Sequence, residues 1–181
     1  MRSKVFMPAA LAAALLTAAS QGAHARQDGG QHGQGHGHGT HAKGVDERGD
    51  RVMGFDHRKT THRFLLHPDG GSIEVTANGE SDAESRDLIR KHLGHIARMF
   101  AAGNFEAPML IHDRVPPGVP AMRRLKAKIE YEYEDVERGG RVRIRTAHKE
   151  ALRAVHEFLR FQIEDHRTGD STEVKPLKRN P

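Results

Sequence analysis

One pattern, a β-hairpin followed by a helix, occurs twice in this chain, and it restricts the fold more than any other feature. Apolar and polar residues alternate over 61–77 on both sides of a DGG turn at 69–71, and again over 128–146 around the glycines at 139–140. Alternation interrupted by a glycine turn is typical of a β-hairpin. The chain therefore has two predicted hairpins of similar length.

The segments that follow the hairpins have helical spacing. The first runs from Ser81 or Asp82, either of which can cap a helix, to Gly103, and the second runs over about 148–166 before a stop at Gly169. Apolar residues recur three and four positions apart in both segments: Leu88, Ile89, Leu93, Ile96, Met99 and Phe100, then Leu152, Val155, Phe158, Leu159 and Ile163. The predicted fold is α+β with the order ββαββα, a four-stranded antiparallel sheet with both long helices on one face.

The N-terminal residues 1–25 have the features of a secretory signal peptide. Arg2 and Lys4 precede an apolar stretch over 5–19, and residues 23–25 have the small-residue pattern AHA of a cleavage site. The apolar stretch is too short to span a membrane. We therefore expect an exported protein, periplasmic or secreted, that is cleaved near Ala25 and has no membrane span.

The rest of the chain is expected to hold one folded α+β domain over 52–169. Residues 26–51 are predicted to be a disordered, histidine- and glycine-rich segment, and residues 170–181 a flexible tail, because neither has periodic apolar positions. The chain has no cysteine, which excludes disulfides and thiolate metal sites. Its formal charge is only +5, and its arginines alternate with glutamates instead of clustering on one face, so no nucleic-acid partner is expected.

Histidine is the residue type that most directly indicates chemistry. The chain has 14 histidines, and four of them, His32, His36, His38 and His41, lie in the run HGQGHGHGTH. Neutral imidazole is the commonest protein ligand of zinc, copper and nickel, and glycine spacers let the rings converge on one ion. We expect this run to bind a divalent transition metal, copper, zinc or nickel. A linker with incidental metal affinity is the alternative.

A second histidine set lies inside the predicted domain. His62 shares a strand face with Phe64, and His92 lies on the buried stripe of the first helix, with His95 about one turn further on. Two histidines at this spacing can hold one ion, and His62 would complete a three-histidine site with an open coordination position. The alternative is that each ring is a packed or hydrogen-bonded core residue.

Two further histidines are candidate ligands because of their positions in loops. His57 precedes the first strand and His112 follows the first helix, where both can reach the same end of the sheet. Asp56 or Asp113, their neighbours in the chain, would supply a carboxylate ligand. The histidines of the second helix are expected to be structural: His148, His156 and His166.

Three segments carry a resemblance that covers about residues 53–170. They read MGFDHRKTTHRFLLHPDGGSIEVTAN, IRKHLGHIARMFAAGNFEAPMLIHDRVPPGV and HEFLRFQIEDHRTGD. In these strings the chain resembles a group of small exported bacterial proteins of uncharacterised function, some of which carry an aspartate carbamoyltransferase label. That enzyme is a far longer two-domain α/β protein with an S-T-R-T phosphate loop, which this sequence lacks. The resemblance therefore implies domain limits and no mechanism.

Motifs of other chemistries are missing from the sequence. It has no G-x-S-x-G elbow, no G-x-x-x-x-G-K loop, no dinucleotide fingerprint and no H-E-x-x-H motif. The sequence therefore favours an exported metal-binding or metal-handling protein over an enzyme. Two alternatives stay open: a mononuclear metal-dependent enzyme that uses His62, His92 and His95, and a module that binds a small non-metal ligand in an apolar pocket between sheet and helices.

Overall fold

The structure, a computed structural model, describes residues 37–175, with side chains from residue 44 onward. These residues belong to the second of two units of the chain, Gln34–Pro181. Their helices and strands are α1 (Gly37–Met53), β1 (Thr60–His67), β2 (Gly70–Ala77), α2 (Ala83–Ala101), α3 (Glu106–His112), α4 (Val119–Arg124), β3 (Glu130–Val136), β4 (Gly139–Arg145) and α5 (Lys149–His166). Single 3-10 turns lie at His57–Lys59 and Lys126–Lys128.

The strands form one antiparallel sheet with the order β1-β2-β4-β3, so the two hairpins join through their second strands. The helix that follows the first hairpin, α2, packs mainly on β4 and β3, and α5 packs on β1 and β2. The helix of the first unit thus covers the hairpin of the second, and the helix of the second unit covers the hairpin of the first. This exchange holds the two units together. The predicted α+β fold, with both long helices on one face of a four-stranded sheet, is confirmed.

The glycines of the two predicted turns lie within strands, where they let the hairpins approach each other. A Cβ atom added to Gly70, whose φ is +148°, would lie 2.0 Å from the carbonyl oxygen of Ile144 on β4. A Cβ atom on Gly139 would lie 2.0 Å from the carbonyl oxygen of Val75 on β2. Because β2 and β4 pair at the centre of the sheet, these glycines serve the junction between the units as well as the turns.

Aromatic packing fills the space between the sheet and the helices. The ring centroids of Phe100 and Phe105 are 4.4 Å apart, and Phe158 contacts both rings edge-on. Phe105 and Phe158 are almost completely buried. This cluster ties α2, the start of α3 and α5 into one core.

The helix α1 is a correction to the expectation that residues 26–51 are disordered. It covers Gly37–Met53, its Val45 is 1% exposed, and the Arg48 Nε atom donates a hydrogen bond of 2.7 Å to the carbonyl oxygen of Ile111. Contact with α3 stabilises a glycine-containing helix whose own sequence has low helix propensity. The folded region therefore begins before residue 52, and residues 26–36 lie outside the described part of the chain.

The segment after α5 also differs from expectation. Asp170 Oδ2 accepts a hydrogen bond of 2.9 Å from the Phe64 amide, and the Lys175 amide donates one of 3.0 Å to the Leu66 carbonyl. Residues 170–175 thus bond to the backbone of the edge strand β1, whose free groups need partners. The predicted flexible tail is wrong for these residues, and residues 176–181 lie outside the described part.

Replacement of Asp170 by alanine is expected to lower the free energy of unfolding by about 1–3 kcal/mol, because the half-buried Phe64 amide loses its acceptor. Chemical denaturation monitored by circular dichroism measures the change. The control Glu173→Ala alters an exposed residue of the same segment and is expected to leave stability within about 0.5 kcal/mol. Equal stabilities of the two variants would show that the segment does not secure the edge strand.

Candidate functional site

Two adjacent hollows lie where the end of α1, the start of β1 and the end of α5 meet. The outer pocket, of about 230 Å³, is lined in part by Asp46, Met53, His57, His62 and His166. The inner cavity, of about 60 Å³, lies between the sheet and the long helices. Its lining includes Met53, His62, His92, Gln162 and His166 among apolar side chains. The two hollows share Met53, His62 and His166 in their linings, so they lie on either side of these side chains.

A reversal of the chain after α1 builds the outer pocket. Gly54, with a φ of +79°, ends the helix, and its amide donates a hydrogen bond of 3.0 Å to the carbonyl oxygen of Asp50. Phe55 is buried in the core, and Asp56 caps the following 3-10 turn by accepting a hydrogen bond from the Arg58 amide. This local fold brings His57 back beside the last turn of α1.

The Asp–His cluster, which consists of Asp50, Asp56 and His57, adjoins the outer pocket through His57, its one member in the pocket lining. The His57 Nδ1 atom lies 3.0 Å from both carboxylate oxygens of Asp50 and 4.0 Å from Asp56 Oδ1. The other ring nitrogen, Nε2, lies 3.8 Å from Asp46 Oδ2. Among the described residues, this is the one group of three histidine or acidic side chains whose ligand atoms lie within 4.8 Å of one another.

The surroundings of the Asp–His cluster favour a cation. A side-chain hydrogen bond from Arg58 is the main cause that lowers the pKa of Asp56 to about 2, so this carboxylate stays ionised at neutral pH. Asp46 and Asp50 lie in the last two turns of α1, where the helix dipole adds negative potential. The side chains of all three aspartates are between 28% and 44% exposed, which leaves the cluster accessible to an ion from solvent.

The inner cavity has three imidazole rings in its wall. The rings of His62 and His166 are stacked with their centroids 5.7 Å apart, and His92 meets the ring of Phe55 edge-on at 5.7 Å. Burial is the main cause that lowers the pKa of His62 and of His92 to about 4, and that of His166 to about 3. All three rings are therefore neutral at pH 7 and keep a free lone pair.

None of these three rings has a hydrogen bond to another residue in the described part of the chain, and His62 Nε2 is fully buried without a partner. The Gln162 Nε2 atom, in the same cavity wall, is also buried without a partner. His156 differs, because its Nε2 atom is 2.9 Å from the carbonyl oxygens of both His67 and Gly70. Of the four buried side-chain atoms without a hydrogen-bond partner in the described residues, two thus belong to the wall of the inner cavity.

The structure assigns the predicted ligands of the domain to different places. His62 and His92 line the inner cavity, as the strand and helix patterns predict, whereas His95 is exposed on α2 and lines neither hollow. His57 belongs to the outer pocket. His62, His92 and His95 do not bring their ligand atoms within 4.8 Å of one another. His166, which was expected to be structural, lines the inner cavity with His62 and His92.

His112 has a structural arrangement instead of the predicted ligand role. Its Nδ1 atom lies 2.5 Å from Asp165 Oδ2, and its Nε2 atom lies 3.0 Å from Gln162 Oε1, so both ring nitrogens are occupied. Burial is the main cause that lowers the pKa of His112, and the hydrogen bond with Asp165 opposes this effect. Asp113, in a left-handed conformation, ends α3. Neither residue joins the Asp–His cluster.

The four histidines of the glycine-rich run are less fully described. His38 and His41 lie in the helix α1, but their side chains are outside the described part, as are residues His32 and His36. The expectation that this run binds copper, zinc or nickel stays a prediction. The run leads directly into the helix that carries Asp50.

Several residues of the site were missed by sequence reasoning. His166 continues the buried stripe of α5 three positions after Ile163, and this spacing was a usable signal. Asp50 and Met53 gave no signal, because the segment that contains them lacks the apolar periodicity of a helix. Gln162 is polar and lies on the buried face of α5, where only the tertiary structure reveals the cavity.

Comparisons of the chain with protein-family models, with curated proteins and with solved structures found no match. Within residues 37–175, no helix combines the length and the apolar character that are needed to cross a membrane. The structure and chemistry of the two hollows therefore carry the functional argument.

Proposed function

We propose that this chain is an exported metal-binding protein that holds a divalent transition-metal ion at the Asp–His cluster. The observation that carries the proposal is the position of His57 Nδ1, 3.0 Å from both carboxylate oxygens of Asp50 with Asp56 Oδ1 at 4.0 Å. Zinc ligands at 2.0–2.2 Å in tetrahedral geometry are roughly 3.4 Å apart. These separations lie on both sides of that value, and Asp56 would exchange its side-chain hydrogen bonds with Arg58 for contact with the ion.

The ligand types fit a divalent ion. In the ion-free arrangement, a proton on His57 Nδ1 bridges the ring and the Asp50 carboxylate, and a metal ion would replace that proton. One imidazole and two carboxylates suit zinc, nickel or copper(II), and the two negative charges offset the charge of the ion. Asp46, on the other edge of the ring, adds further negative potential.

The histidine-rich run is proposed to collect metal ions for the Asp–His cluster. His41 and Asp50 lie in the same helix, nine positions apart, which corresponds to about 14 Å along the helix axis. Metal captured by the imidazoles of this run would therefore be close to the Asp–His cluster. The proposed role is to collect copper, zinc or nickel outside the cytoplasm and to hold it on the folded domain.

The test compares two sets of ligands in the full chain, purified without a histidine tag. In a background with His32, His36, His38 and His41 all changed to alanine, we expect one zinc ion per chain to remain bound, as measured by competition with a chromophoric chelator. Adding His57→Ala to that background is expected to weaken zinc binding at least about tenfold. Loss of a residue that only orients a metal ligand already weakens binding by about this factor, and His57 is a proposed ligand itself.

The matched control is His95→Ala in the same background, because His95 is exposed and lines neither hollow. It is expected to bind zinc as the background does. If the four-alanine background binds no zinc, or if His57→Ala and His95→Ala bind it equally, the Asp–His cluster is a set of ion pairs and the proposal fails. Circular dichroism confirms that each variant is folded.

A further inference from the structure

We propose that the inner cavity is a second metal site, selective for copper(I), with His62, His92, His166 and the Met53 thioether as its ligands. The proposal rests on the metal-binding function proposed above and extends it to a second, chemically different ion. Nothing in the Asp–His cluster is needed for it, so each site can be tested without the other.

The first support is the contrast between the histidines of the core. The Nε2 atom of His156, on α5, lies within hydrogen-bond range of the carbonyl oxygens of His67 and Gly70, and His112 has partners at both nitrogens. The rings of His62, His92 and His166 line one cavity and have no such partner in the described part. Buried polar groups normally have partners, and the buried Nε2 atom of His62, in a cavity wall that His92 and His166 share, has none, which indicates a missing ligand.

The second support is the charge of the cavity. Among the described residues, no aspartate, glutamate, lysine or arginine lines it, and most of its wall is apolar. The cost of moving an ion from water into such surroundings rises with the square of its charge, so an uncompensated divalent ion is far less favourable there than a monovalent one. The Asp–His cluster, with its negatively charged carboxylates, favours a divalent ion over a monovalent one.

The third support is the chemical nature of the ligands. Thioether sulfur is a soft ligand that selects copper(I), and neutral imidazole binds copper in either oxidation state. Met53 lines both the inner cavity and the outer pocket, together with His62 and His166. An ion that enters the outer pocket therefore meets the same three side chains that line the cavity behind it.

Binding requires a local rearrangement. The nitrogens of His62, His92 and His166 are not all within 4.8 Å of one another, and the parallel rings of His62 and His166 must rotate for both to direct a lone pair at one ion. The cavity of about 60 Å³ gives room for these rotations, since one water molecule occupies only about 10–15 Å³ on the same measure. We therefore expect the histidine rings to turn toward the ion when it binds and to be less tightly held in the ion-free protein.

The experiment titrates copper(I), under anaerobic reducing conditions, into the full chain with the four run histidines changed to alanine and with His57→Ala, so that neither the run nor the Asp–His cluster competes. We expect one copper(I) ion per chain in competition with a chromophoric copper(I) chelator. His166→Phe, which keeps an aromatic ring stacked on Phe64, is expected to weaken binding at least about tenfold. X-ray absorption is expected to show one sulfur ligand, which Met53→Leu removes.

The matched control is again His95→Ala, which is expected to bind copper(I) as the background does. Equal copper(I) affinity in the background and in His166→Phe would overturn the proposal, as would a copper environment without sulfur. An organic molecule retained in the cavity, detected by native mass spectrometry, would also overturn it. Zinc binding at the Asp–His cluster is measured separately with His57 present, so failure of one site is distinguishable from failure of the other.

Discussion

Lowering the pH from 7 to 4 is expected to reduce the free energy of unfolding by several kcal/mol in the metal-free protein. His62, His92 and His166 are largely shielded from solvent and neutral at pH 7, and desolvation lowers the pKa values of the first two from 6.5 to about 4. A difference of this size corresponds to roughly 3 kcal/mol for one histidine, and the three rings are coupled, so their effects are smaller than the sum.

The sign follows from proton uptake. Below pH 6.5 the unfolded chain binds protons at these histidines while the folded chain does not, so stability falls as the pH drops and levels off near the folded pKa values. Neighbouring charges modify the effect. Protonated His57 disfavours a charge on His62 while Asp50 favours one, and Asp165 favours a charge on His166. A charge on His95 likewise disfavours a charge on His92 and so lowers the pKa of His92.

Urea denaturation at pH 7, 6, 5 and 4 measures this dependence. His166→Phe, which preserves ring stacking and removes one buried imidazole, is expected to reduce the loss of stability between pH 7 and pH 5. His95→Ala removes an exposed imidazole whose charge acts on His92, and it is expected to change the loss less than His166→Phe does. Identical pH dependence in the parent and in His166→Phe would mean that the buried rings do not resist protonation.

Phe105→Ala is expected to lower the free energy of unfolding by about 3–5 kcal/mol, a large part of the total stability of a small domain. Phe105 has 0% exposure and contacts the rings of Phe100 and Phe158, so truncation opens a cavity between three helices. It lies outside the wall of the inner cavity, so the effect concerns packing alone. Thermal and urea denaturation measure the change.

A control in α3, the helix that begins directly after Phe105, separates the loss of buried contacts from the loss of side-chain size alone. Leu110 is 62% exposed, and Leu110→Ala is expected to change stability by no more than about 0.5 kcal/mol. If Phe105→Ala costs as little as Leu110→Ala, the aromatic cluster does not hold α3 against the core.

Local patterns were sufficient to predict the secondary structure of the two repeated units. Alternation placed the four strands, and the stripes ending at Phe100 and Ile163 placed the long helices. The packing of each long helix on the hairpin of the other unit was not predictable from either unit alone. It depends on the close approach of β2 and β4, which the glycines at 70 and 139 permit.

Prediction failed where stability comes from distant contacts. The helix α1 contains several glycines, and of its side chains from residue 44 onward only Val45 is a fully buried apolar one, so its own sequence gives little sign of a helix. Since Asp50 and Met53 belong to that helix, two residues of the site were hidden with it. The histidines show the same limit, because strand and helix periodicity placed His62 and His92 correctly but gave no distances between their rings.

The most direct test of the account is the position of the metal ion. Crystals of the variant with His32, His36, His38 and His41 changed to alanine, soaked with zinc, would be measured at the zinc absorption edge. We expect an anomalous peak about 2.0–2.2 Å from a ring nitrogen of His57 and from carboxylate oxygens of Asp50 and Asp56. A hydrogen bond between His57 and Asp50 that persists in the soaked crystals, with no peak beside it, would contradict the account.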